Sequence, residues 1–259
     1  MRKTGALLLV ALTLLLCGCM TAGMSADEPE VSSSETEQPA AGTSEPATAA
    51  TQPPSEETEV PTESTQPVVQ SLSELADTDF ARIPDYIPTA KVELAYATEE
   101  NFTGARIYDF TEAYLRCGTL KKLMQASEML EVYGYGLVIW DAYRPVYAQQ
   151  RLWEACPNAA YVSPPGTGSQ THCRGLAVDV TLYDLETGEL LEMPTGFDDF
   201  SSFADRDYRD NSEIAAQNAL LLEEVMKQCG FRPYSAEWWH FSDTDSYEIE
   251  YEFDPAERN

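Results

Sequence analysis

Histidine occurs only twice in the 259-residue chain, at His172 and His240, which excludes any metal site built from three histidines. Basic residues are also few: 16 Lys plus Arg stand against 44 Asp plus Glu, a formal net charge of −28. A surface this negative repels polyanions, so the sequence argues against nucleic acid or anionic lipid as a partner. No cysteine belongs to a Cys-x-x-Cys pair, which argues against a cysteine-rich zinc site. No apolar run reaches the length of a membrane-spanning helix; the longest covers about ten to twelve residues near the start.

That run sits in MRKTGALLLVALTLLLCGCM, behind two basic residues and ahead of small ones, the pattern of an export signal. Its end, Leu16-Cys17-Gly18-Cys19, resembles a bacterial lipobox, with Leu at minus three and Gly at minus one. On this reading residues 1–18 are a lipoprotein signal peptide and Cys19 is lipidated; an ordinary secretory signal cut nearby is the alternative. Residues 20–70 hold ten acidic residues, no Lys or Arg and no aromatic residue. Such a segment cannot bury a core, and residues 19–70 are read as a disordered, self-repelling tether. The chain is expected at the extracytoplasmic face of a membrane, touching lipid only through its anchor.

Residues 71–259, about 190 in number, carry every aromatic residue of the chain and suffice for one domain. Leu120 to Val132 has helical spacing with Gly134 as a C-cap. Gly136 to Asp141 reads as a buried strand, and Pro145 opens a helix over Val146 to Ala155. From Gly175 to Leu182 the residues alternate: Leu176, Val178, Val180 and Leu182 face a core, and Gly175, Ala177, Asp179 and Thr181 form a shallow floor. Leu190 to Met193 is expected as its hairpin partner. A helix capped by Asn211 or Ser212 runs to Gln228, with Ile214, Leu221, Leu222 and Val225 inward. Tyr247 to Phe253 alternates as an acid-protected edge strand. Helices and strands mix with hairpins, so the class is α+β, a single domain with a small, mainly antiparallel sheet flanked by helices. Cys117, Cys156, Cys173 and Cys229 allow one or two disulfides in an exported protein, and a bond from Cys173 to Cys156 would pin the loop carrying His172.

The chemistry concentrates in His172 with Asp179, Glu237 with His240, and Arg144. Taken singly, each has a structural reading: a hydrogen-bonded histidine, an aspartate that caps a turn, an arginine that pairs with Asp141. Trp238 and Trp239 alone read as core. Jointly they change meaning, because a catalytic zinc takes three nitrogen or oxygen ligands and leaves a fourth position open. His172, Asp179 and His240 supply that set, one metal per chain, and Glu237 lies three residues before a ligand as a general base. The tryptophans would keep Glu237 and His240 in place, and Arg144 would be the cation for a developing oxyanion.

The spaced residues His172-x-x-Gly175-x-Ala177-x-Asp179 and Glu237-Trp238-Trp239-His240 resemble the zinc D-alanyl-D-alanine dipeptidases of the VanX type, within the D-Ala-D-Ala carboxypeptidase group. Further agreement comes from Tyr96-Ala97-Thr98, Asn101-Phe102-Thr103-Gly104, Trp140-Asp141-x-Tyr143-Arg144-Pro145 and Thr187-Gly188-Glu189-Leu190. The resemblance spans about residues 94–241. It implies that His172, Asp179 and His240 bind zinc, that Glu237 is the acid/base and that Arg144 steadies the transition state. It also implies that Asp198, or the adjacent Asp199, receives the substrate ammonium and that Tyr96 lines the pocket. The family's serine two residues before the first zinc histidine is replaced by Gln170, with Ser169 or Thr171 as substitutes. The implied reaction is hydrolysis of free D-Ala-D-Ala. The alternatives are a D,D-carboxypeptidase acting on longer wall peptides and a non-catalytic, zinc-stabilised wall-binding lipoprotein. No sequence feature sets the oligomeric state.

Overall fold

The computed structural model describes residues 70–168 and 170–258 of the chain. The expected signal peptide with Cys19, the tether up to residue 69, and Ser169 lie outside the described residues. No described helix is long and apolar enough to cross a membrane.

Strand β1 (Phe80–Arg82) leads into the one-turn helix α1 (Ile83–Tyr86), which has a proline in its first turn. Next come β2 (Lys91–Val92), β3 (Tyr114–Arg116) and helix α2 (Cys117–Glu131). Then β4 (Tyr135–Asp141) and α3 (Val146–Ala155) follow. The second half holds β5 (Ala177–Asp184), α4 (Glu213–Gln228), β6 (Phe231–Tyr234) and β7 (Glu237–Asp243). The main sheet has the order β2-β4-β5-β7-β6 and is antiparallel except for the short β2–β4 pair. Strands β1 and β3 form a separate antiparallel pair. Helices and strands are interleaved around a mainly antiparallel sheet, so the α+β expectation holds.

Helix α2 packs against β4, α4 packs against β6 and β7, and the two helices pack on each other. Val178, Val180 and Leu182 of β5 join the same apolar core as Leu123 of α2 and Leu222 of α4. By strand alternation Asp179 lies on the opposite face of β5. The expected shallow floor there is corrected: Ala177, Asp179 and Thr181 are as buried as their neighbours. The strand is covered on both sides, which sequence alternation alone does not reveal.

A β-bulge alters β4 near its end. Val138 pairs with Thr181 and Ile139 with Val180, but Asp141 pairs with Asp179, so Trp140 is the extra residue. Bulges re-aim the side chains that follow them, and here the fully buried Asp141 carboxylate is brought to the end of the sheet beside β5.

Helix α3 occupies its predicted span, and Ser212 caps α4 by accepting the Ala215 N–H. Gly134, in the left-handed region, donates to the Glu131 carbonyl as the expected stop. Helix α2 starts at Cys117, earlier than its apolar spacing indicated. Ile214 is exposed, and Ala215, Ala219, Leu222, Val225 and Met226 form the inward face of α4. The hairpin after β5 shrinks to a single bridge, Tyr183 to Leu190, beyond a turn in which Asp184 accepts the N–H groups of Glu186 and Thr187. Tyr247–Phe253 is not a strand. Its Glu250 carboxylate instead accepts the N–H groups of Tyr251, Glu252 and Phe253, which folds the tail on itself. Phe253 then stacks on Phe80 at 4.3 Å. The four cysteines among the described residues, Cys117, Cys156, Cys173 and Cys229, are free thiols, so the expected disulfides are absent there.

Candidate active site

Two strands and one turn assemble the metal-ligand set. Asp179 on β5 pairs directly with His240 on β7, so both side chains rise from one position of the sheet. His172 comes from a single 3-10 turn, His172–Arg174, closed by Gly175 at φ 71°. A Cβ on Gly175 would meet the Phe80 ring at 2.7 Å and Arg116 at 3.0 Å, so only glycine suits both the backbone and the space. The His172 carbonyl accepts the Arg144 N–H, which ties the turn to the end of β4.

Facing atoms lie close together. His172 Nε2 is 3.3 Å from His240 Nδ1 and 3.4 Å from Asp179, and His240 Nδ1 is 2.9 Å from Asp179. The three residues each offer one ligand atom within 4.8 Å of the others. A tetrahedral ion with bonds of about 2.0–2.1 Å needs ligand atoms about 3.3 Å apart, so the set fits. The tautomers agree. His172 Nδ1 faces the Ala142 carbonyl at 2.7 Å, an acceptor only, so that nitrogen carries the hydrogen and Nε2 offers its lone pair. His240 Nε2 pairs with Ser242 Oγ at 2.9 Å, a hydroxyl able to accept from Nε2–H; that tautomer turns the Nδ1 lone pair toward the ligand set, where Nδ1 meets Asp179 at 2.9 Å. Two lone pairs and a carboxylate converging in one place call for a cation between them. Without one, burial disfavours a charged His172, but Asp179 and Asp141 outweigh it and raise its pKa. Burial likewise works against ionised Asp179, yet the two imidazoles hold its carboxyl well below the usual range.

Arg144 makes the ion pair with Asp141 that its sequence position allowed, reaching Oδ2 through Nε at 3.1 Å and Nη2 at 2.5 Å, and it also borders the cavity. Gln149 Oε1 accepts its Nη1 at 2.8 Å, and Tyr108, which donates to Asp141 at 2.6 Å, accepts from its Nε. The guanidinium lies over the Tyr96 ring, 5.1 Å from the centroid. Burial works against its charge, but Asp141 more than compensates, so Arg144 stays charged.

Glu237 opens β7, 4.0 Å from His240 Nδ1. Residues three apart on a regular strand face opposite sides, but the β6–β7 pairing is irregular between Pro233 and Tyr234, opposite Glu237. That irregularity lets Glu237 share the cavity with His240. Burial raises its pKa, with His240 pulling the other way. Trp238 and Trp239 are completely buried on either side of the strand. Trp238 Nε1 donates to Thr195 Oγ1 at 2.9 Å, and Trp239 packs on Phe197.

The cavity, about 330 Å³, also takes in Tyr96, Thr171 and Asp198. Tyr96 donates to Asp198 Oδ2 at 2.8 Å. Asp198 has a left-handed backbone, φ 55°, and burial pushes its carboxyl up to about 7, against the Tyr96 hydrogen bond and with a contribution from Asp179. Asp199 is exposed and accepts the Ser201 N–H, so only Asp198 of this pair faces the cavity. Gln170, at the position of the family's serine, has φ 46° and lines the cavity with Thr171.

The family model described as D-ala-D-ala dipeptidase, Peptidase_M15, matches residues 76–254. The chain belongs to this family. Among D-alanyl-D-alanine dipeptidases, that of Escherichia coli K12 is 38% identical over 164 residues, covering 63% of this chain and 84% of the relative. That of Streptomyces coelicolor is 33% identical over 184 residues, covering 63% and 91%. That of Enterococcus faecium is 33% identical over 182 residues, covering 62% and 90%.

Membership in the D-ala-D-ala dipeptidase family makes the chain a metal-dependent peptidase. Four residues of this peptidase escaped the sequence reading. Tyr108 and Gln149 hold Arg144, and the Ala142 carbonyl and Ser242 hold the two imidazoles. Only Ser242 left a signal, since it lies two residues from His240 and therefore on the same strand face.

Proposed function

We propose that this chain is a zinc-dependent D-alanyl-D-alanine dipeptidase, held by a lipid on Cys19 at the outer face of a membrane and consuming dipeptide from wall turnover or the medium. The observation that carries this reading is the joint presence, in one small cavity, of the His172, Asp179 and His240 set, Glu237 and the half-buried Asp198. Relatives named for that dipeptide support the substrate. The export pattern of residues 1–18 and the acidic stretch to residue 70 support the location.

Zinc held by His172, Asp179 and His240 would supply Lewis acidity to the scissile carbonyl and acidify a water at neutral pH. Glu237, whose pKa burial raises, takes the proton of the attacking water and delivers it to the departing amine. Arg144, fixed by Asp141 and Gln149, sets a permanent positive charge near the developing oxyanion; its loss should cost on the order of 3 kcal/mol of transition-state stabilisation. Asp198, steadied by Tyr96, receives the ammonium of the free dipeptide. Thr171, with Ser169 two residues before it in sequence, serves the carboxylate end.

The test is zinc content together with D-alanine release from D-Ala-D-Ala and from its amino-acetylated form. Stoichiometric zinc, cleavage of the free dipeptide alone and loss of turnover in Glu237→Gln with zinc retained are expected. Equal cleavage of the blocked substrate would transfer the chain to the D,D-carboxypeptidases. Zinc without turnover on either substrate would leave a binding lipoprotein.

A further inference from the structure

Two aromatic rings exposed to solvent meet at the rim of the cavity. Tyr161, from the segment after α3, and Phe200, two residues past Asp198, stack with centroids 4.5 Å apart and planes at 23°. Both line the cavity, yet they remain 48% and 36% exposed. Such rings add little to the core, so what their stacking achieves is to join two segments distant in sequence across the opening.

Both segments are anchored. Val162, next to Tyr161, is buried in the core. Gln149 Nε2 donates to the Ser163 carbonyl at 2.8 Å while its oxygen accepts from Arg144, so the Tyr161 segment is fastened to the catalytic machinery. On the other side Phe197 packs against Tyr96, Trp140 and Trp239. Phe200 also meets Phe102 edge-on at 5.1 Å. Phe102 and Asp198 line a second hollow, of about 610 Å³, next to the first. Asp198 therefore stands in the wall between two hollows, and the wall around it is aromatic.

We propose that Phe200 and Tyr161 select substrate length: their stack closes the cavity where the substrate's amino end lies, admitting the free dipeptide and excluding peptides extended at that end. The inference rests on the dipeptidase reading and deepens it. A dipeptide whose ammonium pairs with Asp198 ends at this wall, whereas one more residue must displace an aromatic ring held from both sides.

The experiment compares kcat/KM for D-Ala-D-Ala and for the same dipeptide carrying one extra amino-terminal alanine. Phe200→Ala and Tyr161→Ala should each lower the dipeptide-to-tripeptide ratio about tenfold or more, chiefly through a lower KM for the tripeptide. Phe200→Tyr and Tyr161→Phe keep the stack and should keep the wild-type ratio. An unchanged ratio in both alanine variants, with dipeptide turnover intact, overturns length selection and leaves the dipeptidase reading standing. Loss of dipeptide turnover in folded alanine variants, without gain on the tripeptide, overturns it as well, because the pair would then only support the site. If the wild type cleaves neither peptide, the dipeptidase reading itself fails, and length selection fails with it.

Discussion

Asp198 is an aspartate that burial keeps protonated up to about 7, against an ordinary 3.8, and this has a sign that can be measured. Between those values the folded, metal-free chain binds more protons than the unfolded one. The group's contribution is therefore fully present below pH 4 and is lost as pH rises through 7. Asp198→Asn has no proton to lose, so its stability relative to wild type should climb between pH 4 and pH 7 and level off above. The change should be on the order of 4 kcal/mol at most. Urea unfolding of both chelated proteins across that range checks it, and a flat difference sinks the assignment. At this scale the sequence was most readable where residue types were scarce: two histidines, each near a carboxylate, left little choice. Tyr108 and Gln149 were unreadable because tyrosine and glutamine are ordinary residues whose meaning here comes from touching Arg144.

Among the elements, the turn His172–Arg174 is the most exacting, since it carries a proposed ligand and ends on a left-handed glycine packed against Phe80. Gly175→Ala should cost about 1–2 kcal/mol from backbone strain alone, and more from the clash. It should also weaken metal binding, because His172 moves with its turn. Denaturant unfolding and metal titration read the two effects, and a variant as stable as wild type would contradict this account. Local patterns located α3 and the body of β4, where apolar spacing and a flanking proline agree. They failed at the tail, where alternation over Tyr247–Phe253 suggested a strand but the Glu250 carboxylate captured the backbone N–H groups first. They failed also at Trp140, because a bulge depends on what the neighbouring strand supplies.

For the molecule as a whole, the balance of charge matters most. The described domain collects Asp179, Asp198 and Glu237 in one cavity of a chain already bearing −28. A cation seated there should stabilise the fold by mass action, about 2.7 kcal/mol at a hundredfold excess over Kd. For a domain of this size that corresponds to a Tm gain of about 5–10 °C. Calorimetry with zinc and with chelator tests this, and equal Tm values would remove the metal from the folded structure. The α+β class was legible at this scale, since interleaved helices and strands admit few arrangements; the order β2-β4-β5-β7-β6 was not, because pairing partners lie far apart in sequence. That order sets Asp141, Asp179 and His240 on one rung across three adjacent strands. Inserting or deleting a single residue within β4, β5 or β7 would turn part of this rung to the wrong face. Descent can therefore rewrite the strands by substitution, while changes of chain length are confined to the connections between them.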